Sequence, residues 1–269
     1  MKNAFRAISI AVILTLALTA CGGAGSEAPT PTVAPIVVNT PVPQPENNVP
    51  TVTSSEQCAN LYWPIKAGAR WAYASTGSPS GPYDFGLKIK EVRADGFTVA
   101  ASFKKTPSPQ EWTCRPEGFV PLSMVANNAT SILAFRKFKD VNLSNITGVY
   151  LPVTIAPGQS WTYEFDFTAT QSEEGTSLPV SGHVKFTFTA GNNESVTVPA
   201  GTYDALAISI VTAINFTITT AAGPDTTKME STYTYWFAPN VGWVKASGSG
   251  TLGGQNYFET LELTGYAAQ

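Results

Sequence analysis

Nucleophilic catalysis by a Ser–His–Asp or Cys–His arrangement would have to run through His183, the one histidine in the chain, because imidazole is the side chain that takes up and returns a proton near neutral pH. No G-x-S-x-G nucleophile elbow accompanies it. It lies mid-strand beside Val184 and Lys185, which reads as a solvent-facing strand residue. A zinc site needs several His or Cys ligands, and the chain has one histidine and three cysteines with other uses in prospect. Calcium needs clustered oxygens; Glu173-Glu174 and Asp225 fall in separate loops, with no D-x-D-x-D-G run. Glu164 and Asp166 are two residues apart on one strand face. A carboxylate pair can serve glycoside hydrolysis when it flanks a cleft, but here it lies opposite an aromatic face and reads as the solvated side of a sheet. Gly248, Gly250, Gly253 and Gly254 punctuate a loop, with no helix behind them to cradle phosphate. The expectation is no catalytic residue, no metal and no cofactor, hence no enzyme; a carboxylate hydrolase is the enzymatic alternative.

The covalent chemistry with a defined pattern is at Cys21. Lys2 and Arg6 precede an apolar run from Ala7 to Leu18, broken only by Ser9 and Thr15. About a dozen residues are too few for a spanning helix, which needs roughly 20, but they suit the apolar region of a secretory signal peptide. The run ends in Leu18-Thr19-Ala20-Cys21, which resembles the lipobox of bacterial lipoproteins. The resemblance implies cleavage before Cys21 and a thioether from its sulfur to diacylglycerol. One acyl chain holds a protein to a membrane only marginally, whereas two or three hold it firmly. An ordinary signal peptide with an incidental cysteine is the bland alternative. Residues 1–20 are therefore expected to be a lipoprotein signal peptide. Gly22, and not Asp, follows the cysteine, which implies outer-membrane sorting in a two-membrane bacterium.

Residues 21–57 are expected to be the lipidated cysteine and a Pro/Thr-rich tether. Seven prolines fall between Pro29 and Pro50 with no hydrophobic period among them. Such composition favours extended polyproline conformers, at about 3.1 Å per residue. Processing would remove Lys2 and Arg6 and no acid, taking the net charge from −3 to −5. A mildly acidic chain without a basic cluster excludes nucleic acid, whose binding rests on phosphate neutralisation. Cys58 and Cys114 remain, an even number in an oxidising compartment, and are expected to form a disulfide; two free buried thiols are the alternative. Five N-x-S/T sequons (Asn128, Asn142, Asn145, Asn193, Asn215) read as chance matches in a Thr/Ser-rich chain.

The elements that must position these residues span 58–269, a β-rich folded domain. Phe97, Val99, Ala101 and Phe103 alternate with polar or small neighbours, as do Trp161, Tyr163, Phe165 and Phe167, and then Val184, Phe186 and Phe188. Leu206 to Ile218 is long and β-branched. Period-2 alternation is the signature of a strand. Asp95-Gly96, Gly191-Asn192-Asn193 and Pro199-Ala200-Gly201-Thr202 are expected to be hairpin turns, and Gly223-Pro224-Asp225 a break. Thr130–Lys139 fits a short helix, since Ile132, Leu133, Phe135 and Phe138 share one helical face; a strand is the alternative. The fold class is mainly β: one large curved antiparallel sheet, a half-barrel or sandwich, with at most one or two short helices. Gly68-Ala-Arg-Trp71-Ala-Tyr73 echoes Gly158-Gln-Ser-Trp161-Thr-Tyr163, so two related halves are weighed against a common way of starting an aromatic strand.

Four segments carry a family resemblance: Tyr62-Trp63-Pro64-Ile65-Lys66-Ala67-Gly68 with Trp71 and Tyr73; Val196-Thr-Val-Pro-Ala-Gly-Thr-Tyr-Asp-Ala205; Tyr235-Trp-Phe-Ala-Pro-Asn-Val-Gly-Trp-Val-Lys245; and Leu261–Tyr266. Over residues 61–266 the chain resembles a group of bacterial envelope lipoproteins, TapB-like or domain-of-unknown-function, whose fold is similar to the curved sheet of the LolA/LolB lipoprotein carriers. The resemblance implies an apolar ligand; the absence of a clear helical lid is a departure from it.

Of six tryptophans, Trp63, Trp71, Trp161, Trp236 and Trp243 fall where a core would use them. Trp112, expected in a Pro-rich, Cys-bearing loop from Pro107 to Pro116, is the candidate exposed ring and possible ligand contact. The expected function is a non-enzymatic binding module, anchored to a membrane of the cell envelope by its lipid, for an apolar ligand or an envelope protein. A carbohydrate-binding module using rings near Trp112 is the alternative.

Overall fold

The computed structural model describes residues 58–268, apart from 79–80, 105, 126, 129–130, 133–134, 174 and 253–254. The readings of a signal peptide, of Cys21 and of a tether lie outside the described residues.

Thirteen strands form the fold: β1 (Arg70–Thr76), β2 (Tyr83–Val92), β3 (Gly96–Phe103), β4 (Thr106–Arg115), β5 (Gly118–Pro121), β6 (Phe138–Gly148), β7 (Leu151–Pro152), β8 (Ser160–Glu173), β9 (Thr176–Val198), β10 (Gly201–Thr220), β11 (Gly223–Ala238), β12 (Gly242–Leu252) and β13 (Gln255–Ala267). They make a single sheet in the order β6-β8-β9-β10-β11-β12-β13-β1-β2-β3-β4-β5-β7. Two meanders, β1 to β5 and β8 to β13, account for that order. The antiparallel β1–β13 ladder joins them, with Arg70 opposite Ala267 and Thr76 opposite Thr260.

The sheet curls. β6 and β7 stand at its opposite ends, yet only Val149 and Tyr150 separate them along the chain. Three Cα–Cα steps span at most about 11 Å, so the two ends are drawn together. The large curved antiparallel sheet expected from alternation is thus the observed fold, in its half-barrel form. Burial follows the period: β1 alternates exposed and buried, and in β3 Phe97, Val99 and Ala101 are all buried. Aromatic rings fill the inside. Tyr73 stacks on Trp243 at 3.6 Å between centroids, Trp161 on Phe188 at 5.0 Å, and Trp63 meets Trp112 edge-on at 5.0 Å.

Several sequence expectations change. Gly248 and Gly250 lie within β12 and Asp225 within β11, where loops were expected. Gly191-Asn192-Asn193 is no turn: β9 runs through it to Val198. Ala190 faces Ile208 and Asn193 faces Leu206, so Gly191 and Asn192 together oppose one residue, Ala207. That is a β-bulge, which absorbs the glycine without ending the strand. Thr130–Lys139 divides: Ser131, Ile132 and Phe135 are helical, and strand β6 begins at Phe138. Asn128 caps the turn, its Oδ1 accepting the Ser131 N–H at 3.0 Å. Pro107 to Arg115 lie in strand β4 and not in a loop, with Pro116 in the turn that follows. Pro107 and Pro109 are tolerated because β5 pairs only with Trp112 to Arg115, leaving β3 as the sole ladder neighbour of the proline segment.

The two Gly-led turns do correspond. Gly68 and Gly158 have φ of 86° and 82°, and each donates its N–H to the neighbouring strand, to Ile89 O at 2.9 Å and Ala190 O at 2.8 Å. Cys58 and Cys114 are joined in a disulfide with Cα atoms 5.3 Å apart, which fastens the start of the domain to β4.

Candidate functional site

The outer face carries the charged residues singled out by sequence. On β8 and β9, His183 faces Asp166 across the ladder, and Lys185 faces Glu164. His183 Nδ1 is 2.8 Å from Asp166 Oδ1, and Lys185 Nζ is 3.4 Å from Glu164 Oε2. Asn145 on β6 donates to Asp166 Oδ2 at 2.7 Å. That hydrogen bond, followed by the one from His183, holds the Asp166 carboxyl below its ordinary range. These five groups form a solvated hydrogen-bonded lattice on the outer face of the sheet. Among the described residues, no group of three or more His, Cys, Asp or Glu could hold a metal ion.

Trp112 is not an exposed ring. It is fully buried, stacked on Phe97 at 5.7 Å with an interplanar angle of 7°. Period-2 alternation along β4 places Gln110, Trp112 and Cys114 on the inner face. The expected ligand contact at that ring is therefore corrected: no surface ligand reaches it. The remaining tryptophans are buried or half-buried: Trp71, Trp161, Trp236 and Trp243 in strands, and Trp63 in the segment ahead of β1.

Inside the sheet, one buried carboxylate gathers several hydroxyls. Glu259 on β13 is buried and accepts hydrogen bonds from Ser75 Oγ at 3.0 Å, Tyr83 Oη at 2.6 Å and Tyr233 Oη at 2.9 Å. Burial first, and then the nearby carboxylate, drives the pKa of Tyr83 and Tyr233 far upward. Tyr150, at the link between the sheet's ends, packs on Trp112, Phe186 and Phe188, and burial pushes it up to about 12. The space left is slight. One void beside Asn127, Ser131 and Tyr233 and another beside Trp63, Leu87 and Trp243 each measure about 20 Å³. That is room for one water apiece.

A ligand-sized space lies at one mouth of the curl. The end of β3 supplies Phe103 and Lys104, the start of β4 supplies Pro107, the helical turn supplies Ile132 and Phe135, and β6 supplies Val141; Met124 and Arg136 also line it. The cleft holds about 530 Å³, within the roughly 300–1,000 Å³ of small-molecule sites. Phe103, Ile132 and Phe135 are buried at its floor, whereas Lys104 and Arg136 are exposed at its rim. Local folding explains the arrangement. The Asn128-capped turn directs Ile132 and Phe135 inward together, three residues apart on one helical face. Lys104 takes a left-handed φ of 47°, and its N–H donates to Asp84 O at 3.2 Å, which turns the chain between β3 and β4. Sequence reading missed this site because four separated segments build it. The Ile132–Phe135 spacing followed by Arg136 was its one local signal.

Comparisons with known proteins follow the same lines. The DUF3108-like family matches residues 126–250, from just ahead of the helical turn into β12. No curated protein matches the chain. Among solved structures, it is similar to a protein of Bacteroides fragilis described as exported with a YmcC-like fold (12% identity, 78% of this chain and 100% of that one, TM-score 0.47). It is also similar to a protein of Parabacteroides distasonis described as a lipoprotein (13% identity, 77% and 99%, TM-score 0.45). A third likeness is to the hypothetical lipoprotein YmcC of Escherichia coli (11% identity, 75% and 86%, TM-score 0.30).

Proposed function

We propose that the chain is a lipid-anchored protein of the bacterial cell envelope whose β domain binds an apolar ligand without catalysing a reaction. In this reading residues 1–20 are removed on export, Cys21 carries the lipid, residues 22–57 are the tether and 58–269 the binding domain. Lys2, Arg6, the apolar run and Leu18-Thr19-Ala20-Cys21 support the anchor. The observation that carries the binding role is the cleft of about 530 Å³ floored by Phe103, Ile132 and Phe135. A buried apolar floor with an open mouth favours entry of an apolar body, at roughly 25 cal/mol per Å² removed from water.

The test is photolabelling of the full chain in vesicles with an uncharged alkyl diazirine, with labelled peptides mapped by mass spectrometry. Label concentrated on Phe103–Ser108 and Ile132–Val141, and lost in Val141→Trp, is the expected result. Label scattered over the outer face, unaffected by that substitution, would overturn the reading.

A further inference from the structure

We propose that the ligand is an anionic amphiphile: an alkyl chain seated on Phe103, Ile132 and Phe135, with a carboxylate or phosphate head held at the rim by Lys104 and Arg136. The inference rests on the cleft reading above and adds the class of head group.

The rim's charge carries it. The chain has only 16 Lys and Arg in 269 residues, yet two of them border this one apolar space, and among the described residues no carboxylate lines it. Asp140, the acid nearest to Arg136 along the chain, accepts from Thr170 Oγ1 on β8 at 3.0 Å. Among the described residues Arg136 enters no ion pair. A guanidinium presents a planar fork of donors that matches carboxylate and phosphate oxygens, and an ammonium adds a point charge.

Backbone geometry fixes one of the two cations. Lys104 is one of four non-glycine residues with positive φ among those described, a disfavoured conformation that clusters at ligand sites. Its Nζ stands 5.7 Å from the centroid of the Phe103 ring, so the charge sits directly over the apolar floor. The Arg136 amide closes the helical turn on Ile132 O at 3.0 Å, so its side chain leaves the turn at a fixed point beside Phe135. A neutral ligand would make no use of either charge. A cationic one would be repelled.

Four diazirine probes of equal alkyl length, bearing a carboxylate, a phosphate, a hydroxyl or an ammonium head, test the assignment on the full chain in vesicles. Each probe is compared between the native chain and Lys104→Gln/Arg136→Gln, so partition into the bilayer cancels. Cleft labelling by the carboxylate or phosphate probe should fall about three- to tenfold in the double variant, as expected for two partly solvated ion pairs. Labelling by the hydroxyl probe should stay constant, which also shows that the variant is folded. The ratio of carboxylate to phosphate losses identifies which head group is preferred. An equal change for all four heads, or none for any, would overturn the head-group assignment while leaving an apolar cleft in place. Failure of the uncharged probe to enter the cleft at all would remove the cleft reading itself.

Discussion

Tyr163 on β8 donates its hydroxyl to the carbonyl of Pro121 on β5 at 2.9 Å, across the interior of the curled sheet. The two strands stand next to its opposite ends, so this one buried hydrogen bond ties the ends together without a ladder between them. Tyr163→Phe leaves the carbonyl without its partner, at a cost of about 1–3 kcal/mol. Chemical denaturation should show that loss, and amide exchange should quicken in β5 and β8 ahead of β10 and β11.

The Glu259 cluster predicts an asymmetry between partners. Tyr83→Phe removes one hydrogen bond to a charged group, worth about 1.5–3 kcal/mol. Glu259→Ala strands three buried hydroxyls at once, and should cost more than any single hydroxyl deletion. Urea midpoints of Tyr83→Phe, Ser75→Ala and Glu259→Ala decide the point; equal losses would contradict the three-donor geometry.

Alkaline titration follows from the buried phenols. Tyr150 is raised from 10.0 to about 12 by burial. The unfolded chain releases this proton first, so the contribution to stability is whole below pH 10 and drains away as pH rises to about 12. Tyrosinate absorbance should lag behind that of free tyrosine, then appear together with loss of near-ultraviolet circular dichroism.

Trp112 separates volume from hydrogen bonding. Its Nε1 is buried and has no hydrogen-bond partner among the described residues. Trp112→Phe therefore strands no acceptor and keeps an aromatic ring in place, and should cost less than truncation to alanine, which opens a larger cavity. Trp112→Ala opens a cavity and should cost about 3–5 kcal/mol. Neither substitution should alter labelling of the cleft, and polysaccharides should leave the fluorescence of this buried ring unchanged.

The Cys58–Cys114 bridge closes a loop with a sequence separation of 56. Chain entropy puts its stabilisation at about 4 kcal/mol. Reduction, or Cys58→Ser with Cys114→Ser, should lower the denaturation midpoint by a corresponding amount. Alkylation of the unreduced, denatured chain should find neither thiol.

Legibility in the sequence followed the range of the signal. The run Phe97, Val99, Ala101, Phe103 announced β3 because one face of one strand decides its own alternation. Pro199-Ala200 announced the β9–β10 hairpin because turn chemistry is local. Gly191-Asn192 misled because a bulge and a turn use the same residues, and only the partner Ala207 on β10 distinguishes them. Prolines at 107 and 109 hid β4, since their tolerance depends on which neighbours the strand lacks. The cleft was the least legible: Phe103, Ile132 and Val141 meet only because the sheet curls.

The seam between β1 and β13 sets a schedule. Arg70 pairs with Ala267 and Thr76 with Thr260, so the first strand waits for β13 before it has both neighbours. A growing polypeptide can assemble each meander from local hairpins, but it cannot unite them until β13 has been made. Such late, distant pairing makes for slow folding. It also suits the proposed export, because a channel that threads chains one residue at a time accepts only those that have not yet folded.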